Sequence, residues 1–392
     1  MVEGGKVHFA NQLRGLAAVA VVWHHLGYQY SNGSKFAAAY VGLAPPPSIS
    51  ELPWWTTMTS LLLRLGTEHQ QWDFGAFGVA LFFLVSGFVI PFSIQRLSRA
   101  QFFVARLIRI YSVYIPGLLL LALFSIQIAG YLGEPSSASI PLRHWIHQAT
   151  LTFDVFATPV IDSVSWTLLI ELKFYLLCIL CAGSIRAGAI GGFLTLPLVT
   201  LLSAYLIKSG LAQSALSGAG FPSFAWVLQQ VTSQMAFVCF LLIGYLFWLT
   251  WKQKLTGYTF VLVTTCFWGT ELATLHLLGV DASAITNIAI SQVMALVVFG
   301  GAFYLRHQIG SLFLFDRLSD VSYPLYCTHL LAGYCVLVAG SRIGLPQGLT
   351  LIAALASCLA LAYALHWLVE QPSQVLGKRA VSLLKREAVN AD

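Results

Sequence analysis

Ten stretches of this sequence, at about 12–30, 76–95, 108–131, 165–185, 187–207, 234–251, 257–276, 284–304, 321–341 and 349–369, stay apolar for roughly the depth of a bilayer core. A helix needs about 20 such residues to cross. Lipid offers the backbone no hydrogen bonds, so only helices or closed barrels can span it. The two-residue alternation of a membrane barrel is missing. Charged residues make up 9% of the 392, against roughly 25% in soluble domains. That excludes an ordinary soluble enzyme, a disordered chain and a small disulfide-stapled domain. The expected fold is an all-α polytopic membrane protein with about ten transmembrane helices.

The basic residues orient the spans, because Lys and Arg accumulate on the cytoplasmic side. With the N-terminus inside, 14 of the 21 fall on the cytoplasmic face and 5 (Lys35, Arg64, Arg143, Lys208, Arg342) on the other, leaving Arg14 and Lys173 within spans. Both termini are therefore expected in the cytoplasm. The first span has no small-residue cleavage site and is followed by others, so it is not a cleaved signal. Residues 1–372 form the expected membrane domain and 373–392 a basic cytoplasmic tail, with no fused soluble domain. Two outer segments are long, about 31–75, with Pro45-Pro46-Pro47 and Trp54-Trp55, and about 132–164.

The net charge of +6 is dispersed, which is no footprint of nucleic-acid binding. All seven cysteines lie in apolar stretches, so neither a disulfide framework nor a metal site is expected. Cys178-x-x-Cys181 reads as two small buried residues of a hydrophobic helix.

Ionisable groups within spans are costly and mark function by default. In the first span, Arg14 and His25 are 11 residues apart. An α-helix would put them on one face, three turns plus roughly 20° apart and separated by about 16 Å of rise, with His24 turned about 80° away from Arg14. A long substrate lying along that face could meet a cation at one end and an imidazole at the other. An arginine reaching back to the inner interface and a histidine capping the outer end would explain the same spacing. In the second span, Ser86-Gly87 offers a small surface for close approach of a helix or ligand. Arg106 and Arg109 share one helix face, a pattern that suits phosphate recognition and also ordinary positive-inside flanking. Glu171 lies deep enough in the fourth span to need a partner. Lys173, two residues on, faces the other way and is not expected to supply it. Ser322-Tyr323 through Tyr326 and His329 gather aromatics and an imidazole near the ninth span. Glu271 and His276 suggest no role.

Taken in order, these residues resemble the acyltransferase 3 family of bacterial integral-membrane acyltransferases. The resemblance rests on Arg14-x10-His25, Gly78-Val79 through Phe82-Phe83 with Ser86-Gly87-Phe88, Arg106-x-x-Arg109, Ser165-Trp166 with Glu171 and Phe174-Tyr175, Ser322-Tyr323 through Tyr326 and His329, and Val369-Glu370-x-Pro372. It runs through essentially the whole chain. It implies a protein of the bacterial inner membrane that takes an acyl group, usually acetyl, from cytoplasmic acyl-CoA and passes it to an acceptor hydroxyl of carbohydrate or glycolipid type on the outer side. On this resemblance His25 is the general base or the transient acyl carrier, with Glu171 orienting it. Arg14, Arg106 and Arg109 contact the CoA phosphates, and Ser86, Gly87, Trp166, Tyr175, Tyr326 and His329 line or support the substrate path. No metal and no permanently bound cofactor are implied; an accessory protein or a second copy is an open partner. The chain departs from the family where an Asp usually follows Gly-Val: Ala80 stands there, and the nearest acid is Asp73 upstream. A transporter or flippase of a lipid or saccharide intermediate is the competing class.

Overall fold

The computed structural model describes residues 2–3, 6–46, 53–64, 72–125, 140–212 and 222–391, with side chains from 7 to 385 within those ranges except at 222 and 223. Apart from a short antiparallel pairing of Val2–Glu3 with Lys6–Val7, the described elements are helices. The principal ones are α1 (His8–Val22), α2 (Phe74–Arg96), α3 (Arg99–Leu123), α4 (Ser165–Leu180), α5 (Thr195–Lys208), α6 (Pro222–Trp251), α7 (Gly257–Leu277), α8 (Ala282–Tyr304), α9 (Phe313–Asp320), α10 (Ser322–Arg342) and α11 (Gln347–Leu365).

Among the described residues, 8 helices are long and apolar enough to cross a membrane, built on α2, α3, α5, α6, α7, α8, α10 and α11. The chain is a multi-pass membrane protein. Two of the ten expected spans take another form. The 12–30 segment is helical but divided: α1 passes at Trp23 into a π-helical turn, Trp23–Gln29, and ends at Asn32. The 165–185 segment is α4, stopped at Cys181 before a short helix over Ala182–Ala187. In the first, the widened ladder at the π-helical turn lets polar side chains leave the regular register; in the second, the polar side chains lie within the regular helix before the break. Residues 126–131 of the third expected span lie outside the described residues, as do 132–139, 47–52 with Pro47, and 65–71 of the long segments.

The chain forms two compact units. The first comprises Met1–Val79, Ile108–Ala149 and Gly300–Gly377. Here α1 lies against α9, where the Gln12 amide donates to the Gly310 carbonyl at 2.9 Å, and α10 pairs with α11. Tyr30 ties the end of the first helical segment to α10, its hydroxyl donating to Leu337 O at 2.9 Å with Ser341 Oγ at 2.8 Å.

The second unit comprises Ala80–Leu107, Thr150–Phe299 and Lys378–Asp392. α6 runs through it in contact with α4, α5 and α7, and its stretch from Ala236 to Leu249 is almost wholly buried. Gly87 of α2 and Gly244 of α6 meet backbone to backbone: a Cβ on Gly87 would lie 1.9 Å from Leu241 O, and one on Gly244 2.3 Å from Leu84 O. Between apolar helices in lipid, such close approach supplies the packing that hydrophobicity cannot.

Candidate functional site

The site in the first unit begins with the change of helix type. At the π-helical turn the ladder widens, and the Tyr30 N–H reaches back five residues to His25 O. Such turns concentrate at functional sites because they free side chains from the regular register. His24 and His25 then find separate partners rather than lying on faces fixed by 100° per residue. His25 Nδ1 lies 2.9 Å from Val21 O and 3.1 Å from Nε2 of His329, which comes from α10. His329 is fully buried, and its Nδ1 lies 2.9 Å from Tyr326 O and 3.2 Å from Leu325 O. The Tyr326 ring stands 6.0 Å from that of His329. His24 meets His25 edge to face, with centroids 4.9 Å apart, and its Nδ1 lies 3.0 Å from Asp73 Oδ2.

Asp73 also holds the start of α2, its Oδ1 accepting from the Ala76 N–H at 2.6 Å. Burial pushes the Asp73 carboxyl up, but the bond to and charge of His24, with the Ala76 and Gly75 N–H groups, outweigh it and hold it below its ordinary range. Asp73 enters the sequence-based expectation only as the acid upstream of Ala80, and its partner His24 is given no role there. The available signal was the missing acid at Ala80 together with the acid just upstream.

A second cluster forms within the second unit around Glu171 of α4. Its Oε1 accepts from Ser86 Oγ of α2 at 3.1 Å and from the Tyr175 hydroxyl one turn on. The Arg106 guanidinium lies over the Tyr175 ring, 5.6 Å from its centroid, and over Phe102 at 5.2 Å, and donates to Ser93 Oγ at 2.5 Å. The structure thus gathers four of the expected residues, Ser86, Glu171, Tyr175 and Arg106. The hydrogen bonds of Glu171 run to Ser86 and Tyr175, and those of His25 to Val21 and His329. Lys173 faces away from Glu171, as its two-residue offset requires, and bonds Asp154 at 2.5 Å together with Gln234.

Arg14 and Arg109 are half-buried on α1 and α3. Gly87 serves the helix contact with Gly244, and Trp166 is 37% exposed with its ring on Phe237. No group of three or more potential metal ligands occurs among the described residues.

The family model for acyltransferase 3, described as an acyltransferase domain, matches residues 7–367. A match over nearly the whole chain settles the class: this protein belongs to the acyltransferase 3 family and is a membrane acyltransferase. No curated protein and no solved structure gives a significant match.

Proposed function

We propose that the protein moves an acyl group, acetyl in the first instance, from cytoplasmic acyl-CoA to a hydroxyl of a carbohydrate or glycolipid acceptor, as a bacterial inner-membrane enzyme with ten spans and both termini inside. The observation that carries this reading is the pairing of His25, on a π-helical turn of the segment that also carries Arg14, with the buried His329 of α10. An imidazole held that way can take a proton from a hydroxyl or carry an acyl group. Arg14, Arg106 and Arg109 are proposed to contact the CoA phosphates through charge-assisted bonds. Glu171, with Ser86 and Tyr175 on one oxygen, is proposed as the carboxylate of the reaction. The match to the acyltransferase family supports transfer over transport.

The test is acyl transfer by the full chain in lipid nanodiscs, given acetyl-CoA labelled in the acetyl group and a polysaccharide-bearing envelope fraction as acceptor. His25→Ala should cut transfer by about 10²–10⁴-fold, the contribution expected of a general base, with thermal unfolding unchanged. Turnover retained in a folded His25→Ala protein would overturn the assignment.

A further inference from the structure

The hydrogen-bond polarity around the imidazole pair goes further than its proximity. A backbone carbonyl oxygen can only accept. His329 Nδ1 lies 2.9 and 3.2 Å from two of them, Tyr326 O and Leu325 O, so that nitrogen carries a hydrogen. The neutral ring then has its lone pair on Nε2, the atom that faces His25. His25 Nδ1 lies 2.9 Å from Val21 O, and by the same rule it too carries a hydrogen. The 3.1 Å contact between the rings is therefore His25 Nδ1–H donating to His329 Nε2, shared with Val21 O. Neither alternative fits: two lone pairs or two N–H groups cannot face each other at that distance. Each of the two Nδ1 positions is fixed by its own carbonyls, and the two assignments agree.

Resting on the acyltransferase reading above, we infer that His329 is a positioning residue that fixes the tautomer of His25, making His25 Nε2 the reacting atom. Among the described residues no protein group bonds that nitrogen. The order is Tyr326 and Leu325 carbonyls, His329 Nδ1–H, His329 Nε2 lone pair, His25 Nδ1–H, His25 Nε2 lone pair. In a Ser-His-Asp triad a carboxylate holds the tautomer of the base; here a second imidazole, itself set by the backbone of α10, performs that task.

The chemical step balances on this assignment. His25 Nε2 takes the proton of the acceptor hydroxyl as its oxygen bonds the thioester carbonyl carbon. The carbon–sulfur bond then breaks, the electron pair leaves with the CoA sulfur, and the proton passes from His25 Nε2 to that thiolate. The ester and free CoA are the products, and His25 Nδ1 keeps its hydrogen throughout.

The first measurement needs no turnover. In the full chain with ¹⁵N-labelled histidine in nanodiscs at neutral pH, the His25 resonances, assigned by their loss in His25→Ala, should show Nδ1 protonated and Nε2 unprotonated. The reverse tautomer would overturn the inference even if His25 proves essential. Release of CoA from acetyl-CoA, with water as the acceptor, gives the second. His329→Ala should lower kcat by about 10²–10⁴-fold with the KM for acetyl-CoA unchanged. His329→Gln, whose amide can donate to the Tyr326 carbonyl and accept from His25, should recover turnover to within about tenfold of the unaltered protein. Wild-type kcat in His329→Ala, or no recovery in a folded His329→Gln, would reject the positioning role. Loss of activity in His25→Ala tests the acyltransferase proposal and not the role of His329.

Discussion

Two glutamates stand in apolar helices of the second unit, and they are held there differently. Glu171 is half-buried and takes its donors from hydroxyls, Ser86 and Tyr175, both on one oxygen. Hydroxyl rotors reorient easily, so this carboxylate can exchange partners. Glu271 of α7 is fully buried. One of its oxygens takes the Gln292 amide N–H at 2.6 Å, and the other end of that amide accepts from Trp268 Nε1 at 2.7 Å. Its Oε2 is buried with no partner among the described residues. Neither an amide nor an indole carries a freely rotating hydroxyl. The proposal that Glu171 acts in the reaction while Glu271 only holds helices together rests on the freedom of their donors more than on depth.

The sharpest test of this contrast is Glu171→Gln. The amide oxygen can still accept from Ser86 and Tyr175, so unfolding should shift by no more than about 0.5 kcal/mol, as for a substitution without a cavity or an orphaned group. Acetyl transfer should nonetheless fall by about 10²-fold or more, the usual scale for losing a group that acts on transition-state charge. Unchanged turnover would move Glu171 to the structural side and erase the distinction.

Next comes the scaffold around that cluster. Ser86 and Gly87 are neighbours, yet Ser86 faces Glu171 while Gly87 abuts Gly244. Gly87→Ala forces a methyl to within 1.9 Å of the Leu241 carbonyl, and overpacking of this kind costs about 1–3 kcal/mol. Thermal unfolding in nanodiscs should show a lowered midpoint with the KM for acetyl-CoA unchanged. A raised KM at unaltered stability would instead put Gly87 on the substrate path.

What the sequence discloses about these regions follows from what a helix fixes locally. Hydropathy and length locate the apolar helices, and the two-residue offset of Lys173 from Glu171 suffices to point them apart. The division of the first segment does not show in periodicity, because a π-helical turn adds to the ladder without altering composition. The meeting of His25 with His329 depends on α10 lying beside the first segment, a tertiary fact no spacing contains; only the family resemblance linked the two residues to one function. Asp73 escapes for a similar reason. It precedes α2 and reaches His24 by capping the helix, not by standing on a face of it. Gly87 and Gly244 each look unremarkable in their own helix, and only the pair reveals the contact.

The smallest expected effect is at Glu271, and it closes the comparison from the other side. Replacing it by Gln keeps an acceptor for the Gln292 amide and the volume of the side chain, so stability should change by no more than about 0.5 kcal/mol. Glu271→Ala removes that acceptor and leaves a buried N–H orphaned, which costs about 1–3 kcal/mol before any cavity is counted. Acetyl transfer should follow the folded fraction in both variants, measured by normalising turnover to protein that survives thermal challenge. The two substitutions separate shape from charge: a structural carboxyl tolerates Gln and not Ala, whereas a reacting one is lost with either. If Glu271→Gln abolished transfer in a folded protein, Glu271 would join Glu171 in the chemistry, and the mobility of the donors would no longer be what distinguishes them.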